Sequence, residues 1–414
     1  MNPGASDAPV IPGGRNGKLR AILVAVLAIA VALILLGTLI SLQEKWIVRT
    51  VRTEDQSTSL VDMAVDGFDR IHVLYDNDYG VTYKILDGSF KYDVSSPGGV
   101  VGLALDVDGM GKAHFAIVAP TVDPNQFYVG YFSYGNHGIG ESELIDYNIT
   151  PFAPSIAVDQ SGYVHVTYSK QGNLMYATNL GGVWSESVVI SGEPSPNPYP
   201  FGNDFETVVG VDSKDVVHIC YSTHSTVIGY VTNASGAWAN EILYDWDVGG
   251  DSFDMVVDSN DNVQMCFDGI MNSTAGPGIV YCYNSGSGWS LETVAKIDRV
   301  DFITCSIDVN RTGSPRVAYR SPIQVDSGYH LMYIEKTGGS WHQSEVATVG
   351  QQMGPCHLVV NDEDIPYVAF PDSGVYRYAT TSLTLSELAM ASLPGILLAV
   401  VVAVMCAIII MRIR

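Results

Sequence analysis

Apolar and polar residues alternate with a period of two through most of this chain. The pattern is plain where Val164, Val166 and Tyr168 are set against His165, Thr167 and Ser169, and it predicts half-buried strands. The strands come in a recurring unit: Ser155-Ile-Ala-Val-Asp159-Gln-Ser-Gly162-Tyr-Val-His165-Val-Thr-Tyr168, then Leu174-Met-Tyr176-Ala-Thr-Asn179, then Gly181-Gly-Val-Trp184-Ser-Glu-Ser-Val-Val-Ile190. A tyrosine marks one place in it seven times, at Tyr83, Tyr131, Tyr176, Tyr230, Tyr281, Tyr333 and Tyr378, at intervals of 45 to 54 residues. Each unit predicts four strands. The first is the apolar run before an Asp-x-x-Gly segment, the second follows it, the third holds the tyrosine, and the fourth follows a glycine-tryptophan corner. Four short strands at this period are the signature of a propeller blade. The expected fold is all-β, a seven-bladed β-propeller of four-stranded blades spanning residues 46–385.

The repeated polar positions read as scaffold. The anchors Asp66, Asp108, Asp159, Asp212, Asp258, Asn310 and Asn361 are each followed three residues later by Gly or Asp. That pattern fits a tight turn in which the anchor side chain accepts backbone N–H groups and the third position turns left-handed. Carboxylates spaced as in Asp258-Ser-Asn-Asp261 resemble a calcium loop, but the pattern recurs in blades without further oxygen ligands. Six residues after the anchor stand His72, His114, His165 and His218, then Gln264, Arg316 and Tyr367. Four histidines on four blades cannot converge on one tetrahedral ion, so no metal and no cofactor is expected. Hydrogen bonding or packing between blades is the expected role. Trp184, Trp238, Trp289 and Trp341 follow Gly-containing turns, where a large ring can pack between blades.

The seventh unit lacks its fourth strand. Trp46-Ile-Val-Arg-Thr-Val-Arg-Thr53 matches Trp341-His-Gln-Ser-Glu-Val-Ala-Thr348 in its tryptophan and valine. Residues 46–53 are therefore expected to close blade 7 against its third strand, leaving no exposed sheet edge at the join.

Two apolar runs frame the repeats, residues 21–42 and 388–411. Each is long enough to cross a bilayer as a helix, which takes about 20 residues. The first follows Arg15, Lys18 and Arg20 like a signal sequence, but it is long for one and no small-x-small cleavage site comes directly after, so an uncleaved anchor is expected. Arg412 and Arg414 beyond the second run place the C-terminus inside. The expected organisation is a cytoplasmic segment (1–20), a transmembrane helix (21–42), an extracellular propeller, a second transmembrane helix (388–411) and a cytoplasmic tail (412–414). By strand direction, both helices leave from the face carrying the turns between first and second strands. The opposite face then looks away from the cell membrane.

Between the anchors, residues 46–385 carry 41 acidic and 15 basic side chains, a net charge of -26. Nucleic acid is an improbable partner for such a surface. Sequons at Asn148, Asn233, Asn272 and Asn310 suit a glycosylated outer face. Five cysteines lie outside the apolar runs. Their odd number and apolar surroundings predict buried thiols, with one cross-strand disulfide as the alternative.

Sequence varies most in the connections of the outward face, where loops on a rigid scaffold carry function. Trp246, with Tyr199, Phe201, Asp204 and Asp245, is a candidate sugar-stacking surface; self-packing of the loops is the competing reading. The Ala-Val-Asp-x-x-Gly-x-x-His and Gly-Gly-x-Trp repeats resemble the sialidase-like, BNR-repeat class of propellers over nearly all of residues 46–385. That resemblance implies a fold, because such propellers host hydrolases, lyases and binding modules alike. Sialidases group three arginines and carry Ser-x-Asp-x-Gly-x-Thr-Trp boxes. No such box occurs here, and only Arg299 and Arg320 reach the outward loops. The expected function is a membrane-anchored extracellular module that binds a surface glycan or protein partner. The alternative is a polysaccharide lyase or glycoside hydrolase using His224, His330, Asp245 and Asp251 at the channel mouth.

Overall fold

A computed structural model describes residues 46–51, 60–86, 88, 91–96, 98–135, 138–192, 205–223, 227–245, 249–270, 276–297, 303–322, 328–350 and 354–383, with 24–26, 28, 29, 31, 32, 401 and 404 of the apolar runs. The chain divides into two units, Val48–Thr380 and a second made of Met1–Ile47 with Thr381–Arg414. In the second unit the described residues of both runs are helical. Among the described residues no helix is long and apolar enough to cross a membrane. The remainder of both runs lies outside the described residues.

The first unit is a seven-bladed propeller of seven four-stranded antiparallel sheets. Six blades are continuous in sequence. In the seventh, the strand Ile47–Thr50 forms the outer edge beside Val375–Thr380, and the Val51 N–H donates to the Tyr376 carbonyl at 2.8 Å. The inner strands are Val61–Val65, Gly102–Val107, Ser155–Val158, Phe205–Val211, Gly249–Val257, Thr304–Val309 and His357–Val360. Second strands such as Val164–Lys170 and Val217–Thr223 are buried almost throughout. Outer strands such as Ser185–Ile190 are exposed over most of their length, which is why they tolerate more polar residues.

The repeated turn is built from its anchor. Asp159 Oδ1 accepts the N–H groups of Ser161 and Tyr163 at 2.8 Å each, and Asp66 Oδ1 does the same for Phe68 and Arg70 at 2.9 and 3.0 Å. The third position is left-handed, with φ near 60° at Asp69, Asp215, Asp261 and Asp364 and 84° at Gly162. Only Gly, or a short polar side chain able to bond locally, holds that conformation without a large steric cost.

The repeated tyrosine closes a relay within its own blade. Its hydroxyl meets histidine Nδ1 at 2.6 Å in Tyr83–His72, 2.8 Å in Tyr131–His114, 2.7 Å in Tyr176–His165 and 2.6 Å in Tyr230–His218. Nε2 of His72 and His165 reaches the anchor aspartate at 3.1 and 3.4 Å. A neutral imidazole satisfies all three groups, accepting from tyrosine at Nδ1 and donating from Nε2. Burial lowers the proton affinity of all four histidines, for His114 to about 4. The bond therefore joins strands of one blade, where the sequence suggested a contact between blades. Between blades the tryptophans act: Trp184, Trp238, Trp289 and Trp341 lie 4.9 to 5.3 Å from the repeated tyrosine of the preceding blade, three of them edge to face. Such pairs add about 0.5–1.5 kcal/mol each to the burial of their area.

Candidate functional site

The seven inner strands surround an axial channel. It widens into a cavity of about 450 Å³ toward the connections between blades and one of about 530 Å³ toward the anchor turns. The two share a waist lined by Asp62, Ala104, Ser155, Val208, Asp254 and His357. These residues stand four positions before each blade's anchor. Two positions further along come Asp106 and Asp308 in the second and sixth blades.

The channel-facing edge of an inner strand has no neighbouring strand, so its N–H groups need other acceptors. Side chains of the preceding blade supply them. Asp62 Oδ2 accepts the Leu105 N–H, Asp106 Oδ2 the Val158 N–H and Asp308 Oδ2 the Val360 N–H, each at 2.7 Å. Asp254 Oδ2 accepts the Ile307 N–H at 3.0 Å and the Ser306 hydroxyl at 2.7 Å. Ser155 and Ser306 accept from Val209 and Leu358 at 3.0 Å. In all four aspartates Oδ1 accepts the N–H of the next residue in the chain, at 2.7 to 2.8 Å. The ring closes where His357 Nε2 meets Asp62 Oδ1 at 2.8 Å.

Burial raises Asp106 to about 6 and Asp308 to about 7, against the hydrogen bonds each accepts. Burial raises Asp254 as well. For His357 burial opposes the charge, but Asp62, Asp254 and Asp308 together overcome it and lift the imidazole to about 9. The waist thus holds an imidazolium among carboxylates already engaged with backbone. Sequence reading passed over these residues. Its available signal was an Asp interrupting an apolar strand two or four places before the anchor, as in Val61-Asp62-Met-Ala-Val-Asp66 and Phe253-Asp254-Met-Val-Val-Asp258.

The candidate residues of the outward face are only partly described. Tyr199, Phe201, Asp204, His224 and Trp246 lie outside the described residues, as does the side chain of Asp251, whose backbone is in the inner strand Gly249–Val257. Asp245 is exposed at the end of the outer strand Ala239–Asp245 of blade 4. His330 is in the third strand of blade 6, Tyr329–Thr337, with Nδ1 3.0 Å from Glu345 Oε1 on the outer strand. That hydrogen bond, with one from Thr348, holds Glu345 below the usual carboxylate range. Asp245 and His330 therefore sit in the outer half of different blades and do not line the channel. Arg320 is 2 % exposed, donates to the Gly354 carbonyl at 2.5 Å and lies over the Tyr329 ring. Among the described residues no group of His, Cys, Asp and Glu could hold a metal ion. Cys220, Cys266, Cys282, Cys305 and Cys356 are buried free thiols. Of the sequons, Asn148 is exposed and Asn272 lies outside the described residues. Asn310 is buried as a turn anchor, its Oδ1 accepting from Thr312 and Ser314.

No family model matches the chain, and neither does any curated protein. Solved structures do match. Selenomethionine-substituted virginiamycin B lyase from Staphylococcus aureus is similar at 12% identity, over 82% of this chain and 100% of its own, with a TM-score of 0.50. An ulvan lyase of polysaccharide lyase family PL25 is similar at 12% identity over 83% of this chain and 99% of its own, TM-score 0.49. AofleA from Arthrobotrys oligospora follows at 13% over 74% and 91%, TM-score 0.47. At 12% identity the likeness to the first of these shows the overall fold and nothing finer.

Proposed function

We propose that this protein is a membrane-held propeller that binds a surface glycan or a protein partner through the face built by connections between blades. One observation carries the reading. The repeated Asp, His and Tyr are committed to holding strands within a blade, and the repeated Trp and the described carboxylates around the channel to holding blades together, so what varies is left to the connections. Loops on a rigid scaffold are the usual seat of recognition. The two apolar runs supply the tether, and their uncharged length suits bilayer spans. The test has two arms. The full chain should stay in membranes through alkaline carbonate extraction, and the detergent-solubilised chain should bind defined members of a glycan array or capture a surface protein. Release by carbonate together with a blank array would refute the proposal.

A second reading, a polysaccharide lyase or glycoside hydrolase, draws on the His330–Glu345 pair, whose side chains are 41% and 48% exposed at the connection end of blade 6. An imidazole hydrogen-bonded to a carboxylate is a workable general base. Turnover of a polysaccharide by the full chain, abolished in His330→Ala with binding retained, would establish it in place of the first.

A further inference from the structure

The repeat provides its own control for surface residues. Two places after each anchor, at the tip of the turn, stand Ser161, Lys214, Asn260, Thr312 and Glu363 in blades 3 to 7. In blades 1 and 2 the same tips carry Phe68 and Met110, 66% and 78% exposed. The corner between third and fourth strands at this same end of the blades repeats the contrast. Blade 3 presents Leu180 and Val183, 59% and 73% exposed, where blade 4 has Ala234 and Ala237 and blade 5 has Ser285 and Gly288. Four large apolar side chains thus stand out from turns whose counterparts are small or polar, all on three consecutive blades. Folding does not require them there, since the same turns form without them.

Their face is also where the chain enters and leaves the propeller. Thr380 pairs with Tyr367 at the anchor-turn end of blade 7, and beside it the closing strand begins, with Arg49 against Tyr378. Beyond these points come the two apolar runs. We infer that Phe68, Met110, Leu180 and Val183 dip into the headgroup layer of the bilayer that holds those runs; this rests on the membrane reading above. Apolar side chains at an interface are stabilised by leaving water, while nearby cations keep their charge at the headgroups. Arg70 lies over the Phe68 ring, 5.2 Å from its centroid, and pairs with Asp66 at 2.6 Å, and Lys112, two residues from Met110, pairs with Glu141 at 3.3 Å. Blade 7 carries Asp362-Glu363-Asp364 at the equivalent turn, so the expected surface is zwitterionic and contact is made on the side of blades 1 to 3.

The experiment places a spin label on the full chain in phosphatidylcholine nanodiscs, through Met110→Cys or, as control, Thr312→Cys, and compares collision with oxygen and with a water-soluble nickel chelate. The five described native thiols are buried, and the unsubstituted chain gives the background labelling. At position 110 the oxygen signal should exceed the nickel signal severalfold, and at 312 the order should reverse. Equal nickel access at both positions overturns the inference. So does protection of 110 that persists in detergent with dipolar broadening, which would indicate a second copy covering the patch. If the label is exposed while the chain resists carbonate extraction, the tether stands and only the lipid contact falls. If the chain is extracted, the membrane reading itself fails.

Discussion

The hydroxyl of Tyr281 donates to Gln264 Oε1 at 2.8 Å while its ring meets the indole of Trp341, in the next blade, at 5.1 Å. One side chain thus ties its own sheet together and packs against its neighbour. Two substitutions should separate the roles. Tyr281→Phe leaves a buried acceptor unpaired, at a cost of about 1–3 kcal/mol. Trp341→Ala removes the pair and its buried area, and the loss from the pair alone is about 0.5–1.5 kcal/mol. Denaturant unfolding of the two variants and their combination should give less than additive losses, because the residues touch.

The channel aspartates predict a graded series. Asp106→Ala strands the N–H groups of Val107 and Val158 and should cost about 2 kcal/mol or more, each orphaned donor being worth roughly 1–3 kcal/mol. Asp62→Ala strands Met63 and Leu105 and also leaves the His357 imidazolium without its partner, so it should be the worse of the two. Ser155→Ala, which frees only Val209, should be the mildest. Unfolding midpoints in that order check the assignment.

Acid should loosen blades 1 to 4 first. His72, His114, His165 and His218 have folded affinities below their unfolded value of 6.5. Their contribution is present above pH 6.5 and is lost as pH falls, for His114 toward about 4. Blade 5 shows the cure, since Gln264 accepts from Tyr281 and donates to Asp258 at 3.0 Å. His114→Gln should therefore preserve the relay and remove blade 2 from the transition. Hydrogen exchange at pH 7 and pH 4.5 should show opening in blades 1, 3 and 4 of that variant.

Base should act at the join of blades 7 and 1. His357 is raised to about 9, so its pairing with Asp62 stabilises the fold fully below pH 6.5 and fades as pH rises through 9. His357→Ala should be destabilised at pH 6 and approach the native chain by pH 10. A constant gap between the two unfolding curves across that range would contradict the pairing.

Deletion of residues 47–50 should open blade 7, exposing the third strand Val375–Thr380 to proteolysis, whereas cutting the chain before residue 46 should leave it protected. Limited proteolysis distinguishes the two.

What repeats was legible because seven copies solve one packing problem. Tyr131, Asp159, His165 and Trp238 occupy fixed registers, and the structure gives each the same duty in its blade. The anchor-plus-three position could be read to the level of backbone conformation, since Asp and Gly share little besides tolerance of positive φ. The waist was not legible for the converse reason. Its register holds Asp62, Ala104, Ser155, Val208, Asp254, Ser306 and His357, different answers to a need that each blade meets with whatever its neighbour offers. The connections repeat even less, and Trp246, Tyr199, Phe201 and Asp204 lie outside the described residues.

The closing strand has a consequence for biosynthesis. Ile47–Thr50 leaves the ribosome before every other strand of the propeller, and its partner Val375–Thr380 leaves last. A nascent chain therefore carries its latch idle through the making of more than six blades, with the ring unable to shut until the final strand has emerged. Closure of this propeller waits on Val375–Thr380, and a chain stalled before that strand is left with six blades continuous and the seventh unlatched.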